Sequence, residues 1–237
     1  MGMAKRVRAD IDTMIQNDDL AGLLRSTAQL HGHYCGGSAL GVIAAHCAMK
    51  RMGAVSNLGM EDLIAVVETN NCFADGVQMV TGCSLGNNAL VYRDYGKTAF
   101  SLVDRHGNGI RISVRPDAFN LLKDKNPEAQ KLYLKIVNKR KATPKEEERI
   151  MLLNQRHCFE ILEIPAERLF KIEEVSLKIP GYSRILDSRI CGICGERVMK
   201  VKAFRQGDLH LCRACGRSAY GQLDWAGIHS IRKSQKK

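Results

Sequence analysis

The chain has 237 residues, of which 45% are hydrophobic and 26% charged, with a formal net charge of +11. That length holds one medium domain and a small appended one, and that composition builds a packed core without extra staples. No stretch approaches the roughly 20 apolar residues of a membrane span.

The charge is uneven. Residues 181–237 hold 12 Lys and Arg against 4 Asp and Glu, whereas residues 1–180 are nearly balanced. Any anionic partner is therefore expected at the tail. Residues 1–14 alternate charged and apolar positions without the hydrophobic core of a signal peptide, and Arg6 stands where a myristoylation signal needs Ser or Thr. The expected compartment is the reducing cytoplasm. There, nine cysteines read as metal ligands, redox groups or core residues rather than as disulfides.

In chain order, residues 5–29 read as one or two amphipathic helices, with Asp18 and Asp19 as caps between them. A helix over about 38–52, closed by Gly53, carries small residues at Gly37, Gly41 and Ala45 that let another backbone approach, so it should be buried. Residues 63–68 read as a central strand and 72–81 as a short helix. A hairpin over 97–115 alternates Phe100 and Leu102 on one arm with Ile110, Ile112 and Val114 on the other, and Gly107-Asn108-Gly109 is its expected turn. Helices follow at about 127–140 and 144–162. The second opens on Thr143-Pro144-Lys145-Glu146, a capping box with proline in the first helical position. A strand over 171–178 leads to Pro180-Gly181, the expected domain boundary.

Beyond it, Cys191, Cys194, Cys212 and Cys215 form C-x2-C-x17-C-x2-C. Two residues between cysteines let both thiolates of a tight turn reach one ion, and the intervening loop is long enough for a hairpin that completes a tetrahedron. Gly195 and Gly216 each follow a pair, where a positive φ is expected. Four thiolates leave no open coordination position, so the expected ion is structural zinc, and its binding would supply most of the module's folding free energy. Arg197, Lys200, Lys202, Arg205, Arg213 and Arg217 surround these cysteines. Nucleic acid is one partner for such a surface; protein contact or buttressing of a dimer is the other, because Phe204, Tyr220 and Trp225 are too scattered for a stacking platform. His210 is expected to be exposed rather than a ligand.

Nearer the start, His31, His33 and Cys35 alternate before Gly36 and Gly37 lead into a helix, whose N-terminus favours a thiolate. Glu68 to Asp75, with Cys72 inside it, and the run around Cys83 add two more clusters of soft or titratable groups at element boundaries.

These residues resemble the FmdE-like proteins, named for the FmdE component of formylmethanofuran dehydrogenase. The resemblance is carried by His31-Gly-His33-x-Cys35-x-Gly37 followed by Ala39-Leu40-Gly41. It continues through Glu68-Thr69-Asn70-x-Cys72-x-x-Asp75, Gly82-Cys83-Ser84-x-Gly86-Asn87 and Asp94-Tyr95-Gly96-Lys97, and the following zinc finger matches the longer members. Gly36 stands where the family usually has proline, which loosens that turn. The resemblance implies an α+β fold: a mixed helix and sheet core domain over 1–180, then a small four-cysteine zinc finger of ribbon or treble-clef type over 181–230 and a basic tail over 231–237. It also implies a tight, intertwined homodimer and a polar pocket able to take a second metal. Carried over by position, His31, His33 and Cys35 form the first wall of that pocket, and Cys72, Asp75 and Cys83 the others. Nothing in the sequence marks a molybdopterin or tungsten site.

Cys47 is read as core, His46 as facing another side, His106 as solvated at the hairpin turn, His157 and Cys158 as packing or surface groups, and Lys139-Arg140-Lys141 as an exposed run between helices. Three functions stay open: a metal-binding accessory, interaction or sensor protein of formylmethanofuran, C1 or metal metabolism; an enzyme, either an oxidoreductase subunit or a catalyst using a core metal or a Cys35 nucleophile on a small substrate; and a nucleic-acid-binding regulator acting through the basic zinc finger.

Overall fold

A computed structural model describes residues 7–54, 60–123 and 125–232. The chain divides into two compact units, Met1–Pro180 and Gly181–Lys237. Residues 5 and 6 of the expected first helix and 233–237 of the basic tail lie outside the described residues.

The first unit opens with α1 (Ala9–Gln16) and α2 (Leu20–His31). Asp18 turns the chain in a left-handed conformation at φ 57°. Asp19 then caps α2 by accepting the Gly22 N–H at 2.8 Å, which satisfies one of the donors a helix start leaves unpaired. Helix α3 (Gly36–Arg51) starts two residues earlier than expected, because the Cys35 side chain serves as its N-cap. Residues 38–45 of α3 are all buried, as a helix without a polar stripe must be.

The sheet has five strands: β1 (Ile64–Val67), β2 (Leu90–Tyr92), β3 (Ala99–Val103), β4 (Asn108–Val114) and β5 (Phe170–Ser176), in the order β2-β1-β3-β4-β5. β1 and β2 pair in parallel across α4 (Phe73–Thr81), and the other pairs are antiparallel. In the β3–β4 hairpin Phe100 faces Ile112 and Leu102 faces Ile110. Its turn lies at 104–107, ahead of the expected Gly107-Asn108-Gly109. The Asp104 carboxylate accepts the His106 and Asn108 N–H groups at 2.8 and 3.0 Å. That side-chain turn draws Gly109 into the strand opposite Val103.

Helix α5 (Pro127–Tyr133) passes into a π-helical turn over Leu134–Asn138, so the expected helix over 127–140 is α-helical only in its first half. The capping box of α6 (Pro144–Leu162) forms in both directions between Thr143 and Glu146. Ala129, Leu132, Ile150 and Leu153 join these helices in a satellite cluster. A one-turn helix, α7 (Ala166–Leu169), runs straight into β5.

One crossing positions the site. A Cβ on Gly76 of α4 would come within 2.6 Å of the Ser38 carbonyl oxygen and the Val42 nitrogen of α3. Gly41 of α3 likewise faces the Phe73 carbonyl too closely for any side chain. The partner that the small residues of α3 admit is α4, and backbone contact between the two brings both helix N-termini to one place.

The second unit is three two-stranded hairpins: β6 (Ser188–Ile190) with β7 (Arg197–Met199), β8 (Phe204–Gln206) with β9 (Leu209–Leu211), and β10 (Tyr220–Asp224) with β11 (Gly227–Ile231). Among the described residues no helix is long and apolar enough to cross a membrane.

Candidate functional site

Helix α2 ends at His31 with Gly32 in the left-handed region at φ 87°. Three residues later Cys35 caps α3, its sulfur accepting the Ser38 N–H at 3.4 Å and lying 3.5 Å from the Ser38 hydroxyl. From α4, Cys72 occupies the N-cap without a side-chain cap bond, and Asp75 sits in the first turn.

His31 links these pieces. Its Nδ1 lies 2.7 Å from Asp75 Oδ2, and its Nε2 lies 3.5 Å from Cys35 Sγ. The other Asp75 oxygen accepts from Gln78 at 3.1 Å. A carboxylate on Nδ1 holds the proton there and leaves the Nε2 lone pair facing the sulfur, the usual arrangement behind a metal-bound imidazole. The His33 ring stands 4.5 Å from that of His31. One nitrogen from each imidazole and the Cys35 sulfur all lie within 4.8 Å of one another, so the three can hold a metal ion. Asp75 stands behind His31 as its orienting group.

The electrostatics favour the thiolate form of Cys35 and the charged form of His31, whose Nε2 proton a metal ion would displace. The Cys72 thiol, donating to the Cys35 sulfur, does most to lower Cys35, which reaches about 5 against the resistance of burial and with help from Ser38 and the His31 charge. The same hydrogen bond, then burial, raises Cys72. Burial disfavours the charged His31, but the bonds to Asp75 and to Cys35 outweigh it and raise that imidazole. Burial and then the Cys35 charge push the Cys158 thiol of α6 up to about 12.

Cys83 is fully buried just past the far end of α4, its thiol on the Leu63 carbonyl at 3.5 Å. It closes the strand–helix packing there and does not join the cluster. Of the two readings open for Cys158, packing or surface, the structure shows the first: it is buried, and His157 bonds the Leu122 carbonyl at 3.0 Å. Three residues near the site escaped the sequence reading. Ser38 and Gln78 each stand three positions after the group they hold, a spacing that does signal a local side-chain bond. Arg111, in contrast, grips buried Glu68 with two bonds of 2.6 and 2.8 Å across the sheet, and no local pattern marks it.

In the second unit the sulfurs of Cys191, Cys194, Cys212 and Cys215 also lie within 4.8 Å of one another. A tetrahedral thiolate site with bonds of ~2.3 Å has sulfurs about 3.8 Å apart, so the donor set fits with slight contraction. Cys191 follows β6 and Cys212 follows β9, and each starts a turn closed by a backbone bond to the residue after the pair, Gly195 at 2.9 Å and Gly216 at 3.0 Å. The backbone N–H groups of Cys194, Cys212 and Ile193 lower Cys191 to about 6, while Cys212 and Cys194 push Cys215 up to about 12. Gly195 has the expected positive φ of 72°, but at the second pair the left-handed residue is Arg217, at 51°. Gly216 is required for another reason: the Phe204 ring lies where its Cβ would be. His210 is exposed in β9 and stays outside the group.

A family model described as "FmdE, Molybdenum formylmethanofuran dehydrogenase operon" matches residues 30–171. The chain belongs to the FmdE family. The FmdE match opens one residue before His31 and ends inside β5, ahead of the four-cysteine unit. The fold agrees with the crystal structure of a tungsten formylmethanofuran dehydrogenase FmdE-like protein from Syntrophus aciditrophicus. That similarity has a TM-score of 0.57 at 20% identity, over 83% of this chain and 91% of the other. A curated relative from Archaeoglobus fulgidus, named "Probable S-adenosyl-L-methionine-binding protein", is 37% identical over 206 residues. The alignment takes in 85% of this chain and 54% of that protein, so this FmdE chain spans about half the length of the curated relative.

Proposed function

We propose that this FmdE protein is a metal-binding accessory or sensor protein of formylmethanofuran or other C1 metabolism. In this reading His31 Nε2, a His33 ring nitrogen and Cys35 Sγ hold a transition-metal ion in the core, and the four cysteines of the second unit hold structural zinc. The observation that carries it is the Asp75–His31–Cys35 line, with the carboxylate on Nδ1 at 2.7 Å and the thiol at Nε2 at 3.5 Å. Two imidazoles and a thiolate suit zinc or another borderline-soft metal. Three protein ligands would leave a position open, where the ion would bind a small ligand or acidify water. Asp75 fixes the His31 tautomer, and Ser38 holds the Cys35 sulfur against the helix start. S-adenosylmethionine, the ligand in the relative's name, is the first small molecule to titrate into the loaded protein. A homodimer in the cytoplasm, with the second unit as a surface for a protein partner, completes the proposal.

The same line supports a second reading, in which Cys35 is a nucleophile, His31 its base and Asp75 the orienting group. Metal analysis separates the two. The first reading predicts two ions per chain in the wild type, one in Cys35→Ala and one in Cys191→Ser. One ion per chain, lost in Cys191→Ser, together with a Cys35 thiol that alkylates fast at neutral pH, would overturn it in favour of the nucleophile.

A further inference from the structure

The proposed metal set leaves Cys72 without a task, although it starts α4 beside Cys35, with Gly37 in contact range of both. Both thiols are partly exposed, so a small oxidant reaches them, whereas Cys83 and Cys158 are buried. The two sulfurs sit at the starts of α3 and α4, and the glycine-to-backbone crossing fixes those helices against each other. Between them lies Gly37, where a Cβ would stand 3.0 Å from Cys72 Cβ and 3.9 Å from Cys35 Sγ. Gly37 puts no side chain between them. Cys72 makes no cap bond with its own helix. Cys35, by contrast, is held by the Ser38 N–H and faces His31 Nε2.

We propose that Cys35 and Cys72 are a redox pair whose disulfide withdraws the Cys35 sulfur from the core metal site. The inference rests on the metal reading for its consequence, though not for the thiol chemistry. The oxidant is a hydroperoxide. The Cys35 thiolate attacks its outer oxygen, the O–O bond breaks, and the alkoxide leaves and takes up a proton as the alcohol. Cys72 then attacks the sulfenic sulfur; the S–S bond forms, the S–O bond breaks, and hydroxide leaves with the Cys72 proton as water. Two thiols lose two electrons and the peroxide gains them. A sulfur in this bond is no longer a thiolate ligand, and two imidazoles alone hold an ion far more weakly.

The test treats the full chain, as purified, with one equivalent of hydrogen peroxide, then alkylates, digests and maps the peptides. The expected product is a peptide pair joined through Cys35 and Cys72, released by dithiothreitol, with core metal falling to near zero and returning on reduction. In Cys72→Ser, peroxide should leave a trappable sulfenic acid on Cys35 and no crosslink. Peptide mapping of the wild type needs no variant, so misfolding of Cys72→Ser would not blunt the test. Oxidation confined to the four tail cysteines, or Cys35 passing to sulfinic acid while Cys72 stays reduced, would overturn the pair and leave the metal reading standing. A crosslink in a protein that never holds core metal would do the opposite.

Discussion

The two units of this chain solve the folding problem by different means. The first buries a continuous apolar cluster running through Ile15, Leu23, Val42, Phe73, Phe100 and Ile112. In the second, the only buried hydrophobic side chains among the described residues are Cys191 and Leu211, while Ile190, Ile193, Met199, Val201 and Trp225 are more than half exposed. A unit that small cannot be held by packing alone. Its cysteines are therefore the groups able to hold that fold, whereas Cys35 and Cys72 of the first unit lie partly exposed on a scaffold with its own apolar core and are available for chemistry.

Removing metal should split the units most sharply. Structural zinc contributes about 10 kcal/mol or more to such modules. Exhaustive chelation, or Cys191→Ser, should thus abolish the dispersed amide signals and protease resistance of residues 181–232 while the first unit keeps a cooperative melting transition. Loss of the first unit's transition as well would break the comparison. Within that unit, Glu68→Gln removes the charge that grips Arg111, leaving it Glu173 at 3.5 Å, and should destabilise the unit by about 2 kcal/mol, read from chemical denaturation. Gly76→Ala forces a methyl into the α3 backbone and should cost about 2 kcal/mol, with core metal lost before the fold is. Thr143→Ala removes the α6 cap and should cost about 1 kcal/mol.

The smallest effect is a pH dependence. Lys135 first, then the Thr143 backbone, holds Glu146 down to about 2 from 4.5. A carboxylate lowered in the folded state stabilises fully above its unfolded value and loses that contribution as the pH falls through its folded one. The stability gap between the wild type and Glu146→Gln should therefore be widest near neutrality and close between about pH 4.5 and 2. A gap that persists at the acid end would show that the effect is steric.

Features set by neighbours in sequence were legible from it. The α6 capping box, the Asp19 cap, the spacing of the four cysteines and the alternation in β3 and β4 all follow from residues a few positions apart. The small residues of α3 announced a close neighbour but not which one. Strand β2 has only three residues and takes its identity from parallel pairing with β1, so it leaves no periodic trace. The site was half legible: His31, His33 and Cys35 stand together in sequence and in space. Asp75, 44 residues away, acquires its role only through the crossing at Gly41 and Gly76. Cys83, only eight positions after Asp75, is carried by α4 to that helix's opposite end.

An anomalous-scattering map of the metal-loaded chain, collected at the absorption edge of the bound element, tests the central claim most directly. The account predicts two peaks, one among the sulfurs of Cys191, Cys194, Cys212 and Cys215 and one on His31 Nε2, His33 and Cys35 Sγ with Asp75 still on Nδ1. A single peak confined to the four tail cysteines would contradict it.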